Sequence, residues 1–123
     1  MEIGESRENY LEMILMLQNK GIKVRSTDVA KALDFSKPSV SRAVGILKED
    51  GYIEVQDDGE LTFTKEGEKL AKLVYDRHCT LRTFFENIGV DHETANDDAC
   101  RVEHVISQVT FDKIKELVNK GNE

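Results

Sequence analysis

Apolar residues recur at intervals of three and four near the start of the chain. Tyr10, Leu11, Ile14, Leu15 and Leu17 share one face, the pattern of a helix with a single buried side. Ser6 is placed to cap this helix, which is predicted to run to about Lys20 and stop at Gly21. Ser26 then precedes Val29, Ala30 and Leu33, a helix of about two turns. Ser36 caps a third helix, with Pro38 tolerated in its first turn and Val40, Ala43, Val44 and Leu47 on its inner face. Asp50-Gly51 ends it, the glycine supplying a left-handed C-terminal residue.

The period then changes to two. Tyr52 to Gln56 and Leu61 to Thr64 read as the arms of a β-hairpin turning near Asp58-Gly59. Thr64 caps a long fourth helix to about Asn87, with Leu70, Leu73, Val74, Leu81, Phe84 and Phe85 as its buried stripe, and Ile88-Gly89-Val90 breaks it. A fifth helix is predicted over about Asp91 to Ser107 and a sixth over about Thr110 to Lys120. The expected fold is mainly α with a small β-hairpin. Three helices followed by a hairpin is the order of a winged helix-turn-helix, whose third helix lies in the DNA major groove.

Charge sharpens this reading. The 123 residues carry a formal net charge of -7, which by itself disfavours a polyanionic partner. The charge is unevenly spread, however. From Lys20 to Lys48, seven basic residues face two acidic ones, leaving +5 locally and -12 on the rest. A basic segment in an acidic chain fits a nucleic-acid reader with a separate regulatory part. Candidate DNA contacts are Arg25, before the second helix, and Ser36, Lys37, Pro38, Ser39, Ser41 and Arg42 at the start of the third. Small residues let the backbone approach the duplex, serine bonds base edges or phosphate, and arginine can bind guanine bidentately. The wing tip, Asp57-Asp58-Gly59-Glu60, would be repelled by phosphate and is not expected to grip the backbone strongly.

Composition excludes several classes. No run approaches the roughly 18 apolar residues of a membrane helix, and two cysteines, Cys79 and Cys100, are too few for a disulfide framework. A cytoplasmic protein with reduced thiols is expected. There is no H-E-x-x-H, nucleophile elbow or phosphate loop, so no enzymatic activity is expected.

One cluster does carry chemistry. Cys100, Glu103 and His104 stand at i, i+3 and i+4 of the predicted fifth helix, so one face offers a thiolate, a carboxylate and an imidazole. These are donors for a borderline divalent metal. Asn9 and Glu12, at i and i+3 of the first helix, add two oxygens, and His78 lies along the fourth. Singly, each has an ordinary reading: a buried cysteine, a Glu103 paired with Arg101 or Lys113, a core histidine. A structural zinc site would normally recruit more cysteines.

The chain resembles the iron- and manganese-dependent repressors of bacteria, typified by the diphtheria toxin repressor and the manganese transport regulator. The most specific stretch is Asp98 to Val105, similar to the metal-binding helix of the iron-responsive branch. Glu8 to Glu12, Ser36 to Leu47 and Arg77-His78 match in order and spacing. The resemblance implies a winged-helix DNA-binding domain, here 1–64, and a helical metal-sensing and dimerisation domain, 65–123. It also implies a homodimer, a palindromic double-stranded DNA operator and a metal co-repressor.

The implied ligands are Asn9, Glu12, His78, Cys100, Glu103 and His104, a manganese-type paired site with Asn in place of Asp and Cys in place of Glu. An iron-type primary site would use Asn9, where the family has Met, with Cys100, Glu103 and His104. The iron-type ancillary site would need a Glu where Arg82 stands and a His where Asn96 stands. Because Cys100 is a soft ligand, Fe(II) is favoured over Mn(II). The third, barrel-like domain of the larger iron repressors is not expected. The alternatives are a metal-independent winged-helix regulator or adaptor, which would bind its partner equally well in chelator, and a metalloenzyme or metal buffer.

Overall fold

A computed structural model describes residues 3–121. The outer ends of the two expected segments, residues 1–2 and 122–123, lie outside the described residues. Among those described the order is α1 (Ile3–Asn19), α2 (Ser26–Leu33), α3 (Lys37–Glu49), β1 (Ile53–Val55), β2 (Leu61–Phe63), α4 (Lys65–Asn87), α5 (His92–Val102) and α6 (Gln108–Gly121). The mainly helical fold with one hairpin is therefore as expected. The chain forms two compact units, 1–72 and 73–123, the division falling within α4.

In the first unit every apolar residue assigned to the inner face of α1 is buried, as are Val29, Val40, Val44, Leu47, Ile53 and Leu61. Fully burying side chains of this size contributes about 1.5–3 kcal/mol each. The α1 helix is described from Ile3, so Ser6 lies within it, not at the start where it was expected. Its end is as predicted, with Gly21 at φ 84° and its amide donating to the Gln18 carbonyl. The α2 helix starts at Ser26, and the Arg25 amide donates to the Asp28 carboxylate at 2.9 Å, one half of a capping box. Asp34, in the left-handed region at φ 56°, turns the chain into α3. There Ser36 Oγ accepts from the Ser39 amide at 3.3 Å.

The hairpin is antiparallel, with Ile53 opposite Phe63 and Val55 opposite Leu61, and Gly59 takes the positive φ of its turn. Its tip is tied down from outside. Lys23 Nζ lies 2.7 Å from Asp58 Oδ2, and Arg25 Nε donates to the Asp58 carbonyl at 3.1 Å. Hydrogen bonding to Lys23, then to the Glu60 amide, holds the Asp58 carboxyl below its ordinary value. A depressed carboxylate stabilises the folded state above its unfolded pKa, about 3.9. That contribution is lost as pH falls through the lower folded value.

Beyond the hairpin, Thr64 Oγ1 accepts from the Gly67 amide at 3.1 Å, capping α4 as predicted. The same hydroxyl donates to the Gly51 carbonyl at 2.6 Å, and the Thr64 amide donates to the Tyr52 carbonyl. Gly67 lies so close to Tyr52 that a Cβ there would fall 1.7 Å from the Tyr52 carbonyl oxygen. The first turn of α4 is thus seated on the segment that ends α3.

The second unit is centred on Leu81, Ala99 and Phe111, with Phe85, Val102, Ile106 and Ile114 packed around them. Two expectations are corrected here. The α5 helix stops at Val102, well short of Ser107, and Ser107 instead caps α6 by accepting from the Thr110 amide at 3.2 Å. Leu73, assigned to the buried stripe of α4, is 45% exposed; that stripe is carried by Ala71, Val74, His78 and Leu81.

Candidate metal centre and nucleic-acid interface

The α3 helix divides cleanly into two faces. Val40, Val44 and Leu47 are buried, whereas Ser36, Lys37, Pro38, Ser39, Ser41 and Arg42 are all exposed. Ser36 and Ser39 bond each other through their hydroxyls at 2.8 Å, so they serve the start of the helix. Lys37, Ser41 and Arg42, at i, i+4 and i+5, form the polar outer face of the helix. Arg25 is exposed and bonded to the wing tip, with a guanidinium nitrogen 3.9 Å from Asp58 Oδ2. The acidic tip therefore carries compensating cations, which the sequence did not reveal because Lys23 and Asp58 are far apart in it.

In the second unit the chemistry converges on Glu103. Its carboxylate is fully buried, with Oε2 3.0 Å from His78 Nδ1 and Oε1 3.3 Å from His104 Nε2. Both imidazole side chains are themselves almost wholly buried, at 8% and 2% exposure. Glu103 faces these two histidines, not Arg101 or Lys113. Burying a carboxylate is costly unless cations or hydrogen bonds compensate it. A carboxylate between two imidazoles is such an arrangement, and it is also a donor set for a divalent cation of intermediate softness.

The way the backbone brings Glu103 there differs from the predicted continuous helix. Glu103 is the C-cap of α5, still near helical geometry at φ -57° and ψ -26°, and its amide donates to the Ala99 carbonyl. Residues 103–105 form a turn. Arg77 stabilises that turn by donating to the Glu103 carbonyl at 3.2 Å, to the Ile106 carbonyl at 3.4 Å and to Gln108 Oε1 at 2.7 Å. A guanidinium at a helix C-terminus satisfies carbonyls that have no partner in the helix and complements its dipole. Arg77 was not recognised from sequence as part of the site; its adjacency to His78 was the available signal.

Cys100, one turn before Glu103, is exposed, and Cys79 is partly buried. Asn96, one turn before Cys100, places Oδ1 2.8 Å from His78 Nε2. Arg82 lies beside Glu86, its Nε 3.7 Å from that carboxylate. Asn9 and Glu12 belong to α1 in the first unit, where Glu12 is 6% exposed and Asn9 is partly buried.

Residues 2–61 match the family described as iron dependent repressor, N-terminal DNA binding domain. Residues 64–123 match iron dependent repressor, metal binding and dimerisation domain. The HTH-type transcriptional regulator MntR of Lysinibacillus sphaericus is 40% identical over 114 residues, covering 92% of this chain and 81% of that protein. The diphtheria toxin repressor of Corynebacterium glutamicum is 33% identical over 119 residues; the chain spans about half of its length, 52%. Among solved structures, a manganese-dependent transcriptional repressor in complex with manganese superposes with a TM-score of 0.85 at 26% identity, over 92% of this chain and 52% of that one. The manganese regulator SloR superposes with a TM-score of 0.82 at 24% identity, over 92% and 53%. The DNA-binding match over the winged helix and the metal-binding match over the unit that holds His78, Glu103 and His104 lead to one conclusion: this chain belongs to the iron-dependent repressor family of metal-dependent transcriptional regulators.

Proposed function

We propose that the chain is a cytoplasmic repressor that binds a palindromic operator as a homodimer when loaded with Fe(II). Segment 1–64 would read DNA, and segment 65–123 would sense metal and pair with a second copy. The observation that carries the metal reading is the buried Glu103 carboxylate between His78 and His104. Asn9 and Glu12 from α1 and Cys100 from α5 complete the proposed ligand set. Glu12 is buried and offers a carboxylate oxygen, a donor suited to a divalent cation.

Bound metal would add positive charge at this donor set. By linkage, DNA then raises metal affinity by the same factor as metal raises DNA affinity. Pairing is supported by a run of exposed apolar residues in the second unit. Val105, Val109 and Leu117 are 78%, 73% and 59% exposed, and apolar patches of this kind mark association surfaces. Two-fold pairing also doubles the contacts of a reading head with few basic residues. No described helix is long and apolar enough to cross a membrane.

Iron is favoured over manganese because Cys100 offers a thiolate beside imidazole, whereas Mn(II) prefers hard oxygen ligands and has the lower general affinity. Anaerobic titration of DNA binding against Fe(II), Mn(II) and Zn(II), with chelator as control, tests this. Fe(II) should activate at lower free concentration than Mn(II), and Cys100→Glu should shift the response towards Mn(II). Activation of the wild type by Mn(II) at the lower concentration overturns the iron preference. Binding that is equal in chelator overturns the metal dependence altogether.

The reading head has its own test. Arg42→Ala should weaken operator binding by about 1–3 kcal/mol if the guanidinium reads a base. Lys37→Ala should lower affinity across all sequences and flatten the salt slope by about one if the ammonium meets phosphate. If both variants keep the wild-type affinity and salt dependence, the outer face of α3 does not read DNA.

A further inference from the structure

The position where an iron-type ancillary site would have a histidine is Asn96, and its side-chain oxygen lies 2.8 Å from His78 Nε2. An amide oxygen only accepts, so Nε2 carries a proton and donates to it. The other ring nitrogen, Nδ1, faces the buried Glu103 carboxylate at 3.0 Å. The ring thus meets an acceptor at each edge, the Asn96 amide oxygen at Nε2 and the Glu103 carboxylate at Nδ1; of the two, only the carboxylate is a strong metal donor, so a metal ion would lie on the Nδ1 edge. An imidazole that coordinates metal through one nitrogen needs its other N–H satisfied, because this fixes both tautomer and ring orientation and raises the basicity of the ligating atom.

We propose that Asn96 is a positioning residue for metal binding, holding His78 so that Nδ1 is the ligating atom. The inference rests on the reading of His78 as a ligand and extends it to a residue that touches no metal. The spacing gives the mechanism. Asn96 and Glu103 are seven residues apart, two helical turns, and so lie on one face of α5 and its cap. That single face presents an acceptor to one edge of the His78 ring and a carboxylate to the other. Asn at this position serves the histidine that is present and adds no imidazole ligand of its own.

The test uses the full chain and two variants, with Zn(II) as a diamagnetic probe. Asn96→Leu keeps the size and removes the acceptor; Asn96→Asp restores one. Competition against a chromophoric chelator should show Asn96→Leu binding Zn(II) about tenfold to hundredfold more weakly than wild type. Asn96→Asp should stay within about threefold of wild type or bind more tightly. In the wild type, long-range nitrogen–proton NMR of the Zn(II)-loaded chain should show His78 protonated at Nε2 and metallated at Nδ1. Unchanged affinity in Asn96→Leu, or coordination through Nε2, overturns the role of Asn96 alone, provided His78→Ala lowers affinity. If His78→Ala also binds Zn(II) like wild type, the ligand assignment falls with it.

Discussion

Glu103→Gln is expected to abolish metal-dependent operator binding and to lower metal affinity by about a hundredfold or more. The amide matches the carboxylate in size and can still hydrogen-bond His78, so the folded unit is retained while the anion is lost. Outer-shell losses alone cost about tenfold to hundredfold in metal affinity, and Glu103 is the donor on which both buried imidazoles converge. The measurement is anaerobic anisotropy with a duplex selected by the metal-loaded wild type, alongside thermal unfolding of the metal-free chain. A Glu103→Gln variant that reaches half-saturation at the wild-type free metal concentration would remove Glu103 from the ligand set.

The second large effect concerns stability. Gly67→Ala should destabilise the first unit by about 2 kcal/mol or more, even though alanine is the better helix former by about 1 kcal/mol. The new Cβ would meet the Tyr52 carbonyl at 1.7 Å, and a backbone atom cannot swing aside as a side chain can. Relieving it requires α4 to move off Tyr52, straining the bonds from Thr64 to Gly51 and Tyr52. Overpacking of this kind costs about 1–3 kcal/mol and occasionally more. Gly45→Ala is the control, since its Cβ would meet nothing within 4 Å and should gain up to about 1 kcal/mol. Chemical denaturation separates the two. A Gly67→Ala chain as stable as Gly45→Ala would show that the α3–α4 seat is soft.

What could be read in the sequence was local. Ser36, Gly21, Gly51 and Gly59, and the capping bond of Thr64, act on residues within one turn, and each marks the boundary it predicts. The winged helix followed from those boundaries and from the change of period between α3 and the hairpin. What escaped was set by partners far along the chain. The α5 helix carries no stop residue at Val102; its end depends on Arg77, 26 residues before Glu103, which takes up the turn's carbonyls. The same holds for Arg25, which bonds the wing tip 33 residues away. For the proposed metal centre, the spacing of Cys100, Glu103 and His104 pointed to the segment in which Glu103 meets His78 and His104. The chemistry of a buried carboxylate between two imidazoles, with Asn96 behind one of them, needed α4 and α5 side by side.

The clasp between Lys23, Arg25 and Asp58 bears on how such a protein searches a genome. Attraction to arbitrary DNA comes mainly from counterions released when cations meet phosphate. A lysine already matched to a carboxylate has less to release. In the proposed mode of binding the wing would extend the reading head in shape while adding little indiscriminate stickiness, and Lys37 and Arg42 would supply cationic contact. Against roughly a million or more competing sites, a low background sharpens occupancy of the few correct ones as effectively as a tighter grip on them.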